Sequence, residues 1–252
     1  MTRIADMLRP AWGEHGAWAM GLTSCAAGIA MARSASPAIY LLLPSVALFI
    51  GAKGFIARYR RTRRGGVPAA VFGLLGLLCA VPAALQALPA YAAAAALAVP
   101  FSILYVLYAD SPRWTRSLGV ETAGSALLAG SASLPILAAR PASLFEALLA
   151  GLFFALVFLP GVLRARIPKD PSPLLRAVTS GLALAAAALA ACLPLLGLAT
   201  WWVLLAVPPL LKDGYRAWSV PSWSTRTLGI NLTLKGMYVA AVAAACWRPP
   251  IT

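Results

Sequence analysis

Thr227, Asn231 and Lys235 recur at i, i+4 and i+8 inside an otherwise apolar run, with Tyr238 seven residues beyond Asn231. At 3.6 residues per turn this spacing lays them along one helical face. An amide, an ammonium and a phenol on one face can bind an oxyanion, relay a proton or clasp a neighbouring helix. Lys235 lies nine residues past Arg226, about 13 Å along a helix. That depth is near the middle of a bilayer, too far for its stem to lift the ammonium into water. An ionisable group there marks a functional site by default and calls for a partner. Glu121, read as the one acid inside a span on that side, is the expected one. Glu14 and His15 open the first apolar run, and Lys53 lies near the inner end of the second.

The candidate ligand-binding set is therefore Glu14, His15, Lys53, Glu121, Asn231, Lys235 and Tyr238. Any acid–base step would fall to Glu121 or His15. Each of these residues also has a plainer use. Glu14 favours a helix amino terminus, Trp18 suits a membrane interface, and an Asn/Lys–Glu clasp can simply lock helices together. The single histidine builds no metal centre. Cys25, Cys79, Cys192 and Cys246 fall inside apolar runs without CxxC spacing, which suits small packing residues rather than zinc or disulfides. No metal and no cofactor is expected. No nucleotide loop or nucleophile triad is visible, and no catalytic residue is assigned.

The elements that must position these groups follow from composition. The 252 residues are 61% apolar and 11% charged, with a mean hydropathy of +0.82. Soluble domains carry about a quarter charged residues, so a soluble enzyme, a disordered tail and a secreted disulfide scaffold are all excluded. The net charge of +14 does not mean nucleic-acid binding, because the bases sit between long uncharged runs rather than on one solvated face. The chain reads as an all-α, polytopic membrane helix bundle forming a single integral membrane domain over residues 1–252.

A helix crossing ~30 Å of hydrocarbon needs ~20 mostly apolar residues. Nine runs qualify: Gly16–Ala32, Pro37–Ile56, Val67–Leu85, Pro89–Ala109, Leu118–Ala139, Ser143–Leu163, Leu174–Leu193, Leu196–Leu211 and Leu228–Cys246. The eighth is the shortest and contains Pro208-Pro209. With nine spans, Arg33, Arg140 and Arg248 fall on one side, Lys235 inside a span, and the other 17 of the 21 bases on the opposite side. The positive-inside rule then puts the amino terminus in the cytoplasm and the carboxyl terminus outside. The first run is read as a retained span, not a cleaved signal. The basic stretch Arg58–Arg64 is expected to meet anionic lipid at the cytoplasmic face. The stretch Lys212–Arg226, with Tyr215, Trp218 and Trp223, is expected to be an interfacial anchor or a lid. In the fifth run, Gly124, Ser125, Gly130 and Ser131 suggest close helix packing.

The segment Glu14-His15-Gly16-Ala17-Trp18 before the first span resembles the YwiC-like family of bacterial membrane proteins. That likeness implies a multi-pass protein of the bacterial inner membrane and supplies no mechanism. The architecture, with long inner loops after spans two and six, also resembles the UbiA prenyltransferase superfamily. That superfamily holds magnesium and a diphosphate on aspartate-rich motifs in those loops. Here residues 50–66 contain no Asp, Glu or Asn, and residues 162–176 contain Asp170 alone, so the magnesium–diphosphate site is missing.

Three functions are compatible with these residues. The first is a UbiA-like bundle binding an amphipathic anionic, isoprenoid or lipid-type ligand in a cytoplasm-facing cavity. The second is a small permease with Glu121 and Lys235 as its coupling pair. The third is a membrane assembly or scaffold protein.

Overall fold

A computed structural model describes residues 15–62, 66–89, 91–92, 95, 117–141, 143–168, 171–219 and 225–248, with the side chains of 15–16, 57, 60–62 and 225–228 excepted. The helices are α1 His15–Ala32, α2 Pro37–Tyr40, α3 Leu42–Thr62, α4 Gly66–Gln86, α5 Leu118–Ala129, α6 Ser133–Ala139, α7 Leu144–Arg164, α8 Pro173–Leu195, α9 Val207–Arg216 and α10 Thr225–Cys246. Two 3-10 turns, Gly130–Ala132 and Trp201–Ala206, lead into α6 and α9.

Most helices begin where the sequence lets them. Ser117 and Ser172 accept hydrogen bonds from the backbone N–H groups of Val120 and Leu175, three residues on, satisfying donors that a helix start leaves open. Pro173, at the first turn of α8, gives up an N–H that would be unpaired there anyway. Arg33 ends α1 with φ of 48°, a left-handed turn costing about 1 kcal/mol.

Among the described residues, six helical stretches are long and apolar enough to cross a membrane: Pro37–Ile56, Gly66–Gln86, Leu118–Ala139, Leu144–Arg164, Pro173–Leu195 and Gly229–Cys246. These six correspond to six of the nine expected runs. The first run forms α1, whose apolar part Ala17–Ala32 is shorter. The run Pro89–Ala109 lies almost wholly outside the described residues. The eighth run is not one helix, because Leu196–Gly197 is a turn, Trp201–Ala206 is 3-10 and only then does α9 begin. Pro208 and Pro209 explain the break, since neither can donate to the preceding turn. The 3-10 stretch rises ~2.0 Å per residue and α9 ~1.5 Å. Together they reach about 27 Å with sixteen residues, almost a hydrocarbon thickness.

α7 is the centre of the bundle. Its buried face runs through Ala147, Ala150, Phe153, Phe154, Val157, Phe158, Gly161 and Arg164, and it packs on α5, α6, α8 and α10. Apolar side chains gain little from leaving lipid for protein, so close backbone approach must hold such a bundle together. The seam between α7 and α10 shows how. A Cβ on Gly161 would come within 2.9 Å of Leu232, and one on Gly236 within 2.4 Å of the Phe158 ring. Each helix thus offers a glycine hollow to a large side chain of the other.

The tightest approach is Gly28 of α1, where a Cβ would meet the Ala132 carbonyl oxygen at 2.3 Å. The small residues expected to pack in the fifth run divide. Ser125 and Ser131 are buried, and Ser131 donates to the Gly21 carbonyl (3.2 Å). Gly130 has open space beside it. Cys25 and Cys246 are buried as packing residues, whereas Cys192 is exposed.

Candidate functional site: a charge cluster on three helices

Lys235 does not meet Glu121. Its ammonium bonds the Asp213 carboxylate of α9 and donates to the Val157 carbonyl of α7 at 2.9 Å. The other Asp213 oxygen faces the Arg164 guanidinium of α7 at 3.5 Å. All three side chains are withdrawn from the surface, at 10% exposure for Lys235, 7% for Asp213 and 3% for Arg164. One carboxylate therefore bridges two cations inside the bundle. Lys235 reaches Val157 because Gly236, the next residue, lets α10 close on Phe158, the residue after Val157.

Glu121 instead pairs with Arg166 through two bonds of 2.6 and 2.8 Å. At 36% and 26% side-chain exposure this pair sits at the bundle's edge. The expected contact of Lys235 with Glu121 is therefore corrected: the acid that Lys235 meets is Asp213.

Tyr238 stands one turn from Lys235 on the same stripe and donates its hydroxyl to the Leu205 carbonyl at 3.3 Å. That carbonyl has no backbone donor available, because the residues three and four ahead of it are Pro208 and Pro209. α10 thus ties the irregular segment at both its 3-10 part and its helical part. Asn231, also on the stripe, is exposed. Lys53 lies on α3, which packs against α4 and α1, so it does not join the cluster. Glu14 lies outside the described residues, as does the side chain of His15.

Asp213 and Arg164 were missed as site residues because each reads as the edge of a loop. Yet α9 continues to Arg216, and Leu210, Asp213, Gly214 and Ala217 are all buried. Their i, i+3, i+4, i+7 spacing was the available signal. α9 is seated on α8 by the same device as elsewhere. A Cβ on Gly214 would lie 3.3 Å from Ala183, and Ser180 donates to the Gly214 carbonyl (2.8 Å) while accepting from the Trp218 indole (2.9 Å). Trp218 therefore anchors the start of the Lys212–Arg226 stretch to α8.

A second polar network closes the opposite end of α7. Glu146, 3% exposed, accepts from Arg140 (2.6 Å) and from the indole N–H of fully buried Trp247 (2.7 Å). Arg33 donates to the Trp247 carbonyl (2.7 Å). A short antiparallel bridge between Ala199 and Trp247 holds the end of α10 to the start of the irregular segment. Glu146 and Arg164 are eighteen residues apart on α7, about 27 Å, so the two networks lie at opposite ends of that helix.

Two surface indentations, one beside Arg33 and Tyr40 and one beside Trp201 and Arg248, belong to this second end. Neither is lined by a residue of the Lys235 cluster. Lys235, Asp213 and Arg164 meet at the other end of α7 as an ion cluster. Among the described residues, no group of three or more His, Cys, Asp or Glu could hold a metal ion.

Apolar helices of membrane length, packed through glycines and burying paired charges, define a multi-pass α-helical membrane protein. Residues 13–136 match the model of the family described as YwiC-like protein. The chain carries YwiC-like sequence over that stretch, and the resemblance read from Glu14 to Trp18 is borne out. No curated protein matches the chain. No solved structure matches it either, so the likeness to the UbiA superfamily has no structural match behind it. Arg164, Asp213 and Lys235 lie beyond the matched residues, and their role rests on geometry alone.

Proposed function

We propose that the protein binds an anionic amphipathic ligand, its head group directed at the end of the bundle that carries Arg164, Asp213 and Lys235. The observation that carries this reading is the cluster itself: charged side chains from α7, α9 and α10 converge inside a membrane bundle, where a merely structural contact could be apolar. Arg166, Arg176, Lys212 and Arg216 surround the same end. A basic rim of this kind suits a carboxylate or phosphate head group without metal. The base asymmetry supports placing this end in the cytoplasm of a bacterium, against anionic lipid, with nine crossings including Pro89–Ala109 and the irregular segment. Native mass spectrometry of protein purified in neutral detergent should show a retained anionic lipid or isoprenoid, lost in Lys235→Met. Identical spectra for a folded Lys235→Met protein would refute the reading.

A small permease is the second reading, favoured by one observation. Asp213 sits on a discontinuous segment, and carriers use broken helices to present ion sites within the membrane. Proteoliposomes would then show a solute or proton flux that Asp213→Asn abolishes.

A further inference from the structure

We propose that Asp213 is a built-in counter-ion seated where a ligand's head group belongs, so that an incoming oxyanion takes its place on Lys235 and Arg164. The inference rests on the ligand-binding reading above and specifies how that site is kept closed. A carboxylate bridging an ammonium on one helix and a guanidinium on another has the geometry by which proteins grip carboxylate and phosphate ligands. Its two bonds are unequal. Lys235 holds one oxygen closely, while Arg164 stands 3.5 Å from the other, so the guanidinium side is the looser one. Lys235 is fixed independently by the Val157 carbonyl, and so keeps its place when the carboxylate leaves.

The carrier of the carboxylate is also the least regular element on this side. α9 has ten residues, follows a 3-10 turn and begins at two prolines that break its hydrogen bonding to what precedes it. α9 itself stays seated on α8 through Gly214 and Ser180, so displacement falls to the Asp213 side chain, which can rotate off the cations while its helix holds. The cations stand on α7 and α10, long helices locked to each other by Gly161 and Gly236. The seat is rigid, and its occupant is one side chain whose two contacts an incoming oxyanion can replace.

The test uses the full chain in nanodiscs of neutral phosphatidylcholine, with phosphatidic acid as a lipid oxyanion or inorganic phosphate as a free one. Asp213→Asn keeps the shape and removes the competing charge. It should bind phosphatidic acid on the order of tenfold more tightly than the parent, and Lys235→Met added to it should abolish the gain. A gain with inorganic phosphate as well would mean that the seat takes a free oxyanion, and a gain confined to phosphatidic acid that it takes a lipid head group. Both support the inference. Equal or weaker binding by Asp213→Asn, with Lys235→Met weakening the parent, would overturn the counter-ion and leave the ligand site standing. No binding by any variant would overturn both. Should Asp213→Asn fail to fold, Asp213→Glu carries the test, because it must bind no better than the parent and a gain would refute the inference.

Discussion

The Tyr238 hydroxyl donates to the Leu205 carbonyl, which Pro208 and Pro209 leave without a backbone donor of either the 3-10 or the α-helical kind. A tyrosine of one helix thereby completes the hydrogen bonding of a break in another. Tyr238→Phe should lower stability by about 1 kcal/mol, the usual size of such a bond in a membrane protein. Unfolding by titration with sodium dodecyl sulfate measures it. In a Pro209→Ala background, where a backbone N–H returns to serve Leu205, the same substitution should cost almost nothing. An unchanged cost would mean that Tyr238 does not serve that carbonyl.

Lys235 and Asp213 are a different kind of contact, because the carboxylate serves Lys235 and Arg164 together inside the bundle. Asp213→Asn should cost about 3–5 kcal/mol, because it leaves Lys235 and Arg164 without their shared carboxylate, whereas Lys235→Met leaves Asp213 facing Arg164 and should cost less. Adding Lys235→Met to Asp213→Asn should recover part of that loss, since one buried cation then faces the amide instead of two. Additive losses in a double-mutant cycle would show that the two are not coupled.

Glu121 and Arg166 share a salt bridge at the bundle's edge, where solvent or head groups screen it. Glu121→Gln should change stability by no more than about 1 kcal/mol and leave anion binding at Lys235 unaltered. A large loss of binding would restore Glu121 to the site.

The stripe that singled out Lys235 was legible because a lone cation in a long apolar run stands out against its neighbours. Its partner was not, because pairing depends on which helices pack together. Asp213, next to Lys212, stood at the inner end of the eighth run, and Glu121 read as the one acid inside a span. Only the continuation of α9 to Arg216 turns Asp213 inward. The span boundaries of α4, α7, α8 and α10 follow hydropathy closely, since length and apolarity alone set them. The eighth run departs from its reading because two adjacent prolines change the local helix type, and a hydropathy window does not register that. Tyr238 was marked as a site residue for its place on the stripe, whereas its bond answers to the backbone of Leu205.

Small residues give another test of how the bundle is held. Gly28→Ala would put a methyl group 2.3 Å from a backbone oxygen, which no rotamer change can relieve. Such overpacking costs about 1–3 kcal/mol or more. Gly130→Ala, with open space at its Cβ position, should be neutral or slightly stabilising. Thermal unfolding of the two detergent-solubilised variants separates them. Equal behaviour would mean that α1 does not approach Ala132 so closely.

Trp247 and Glu146 close the other end, and their contact assigns the end of α10 a structural duty. The indole is fully buried and its N–H meets a carboxylate that also binds Arg140. Trp247→Phe keeps most of the packing and removes only the donor, so its cost should be that of one charged hydrogen bond, about 1.5–3 kcal/mol. Glu146→Gln removes the charge that Arg140 faces and should cost at least as much. If the network is one unit, adding Trp247→Phe to Glu146→Gln should cost much less than it does in the parent. Binding of anions at the Lys235 end should survive both substitutions, because about 27 Å of α7 separates the networks. Loss of that binding would instead show the two ends to be coupled through α7.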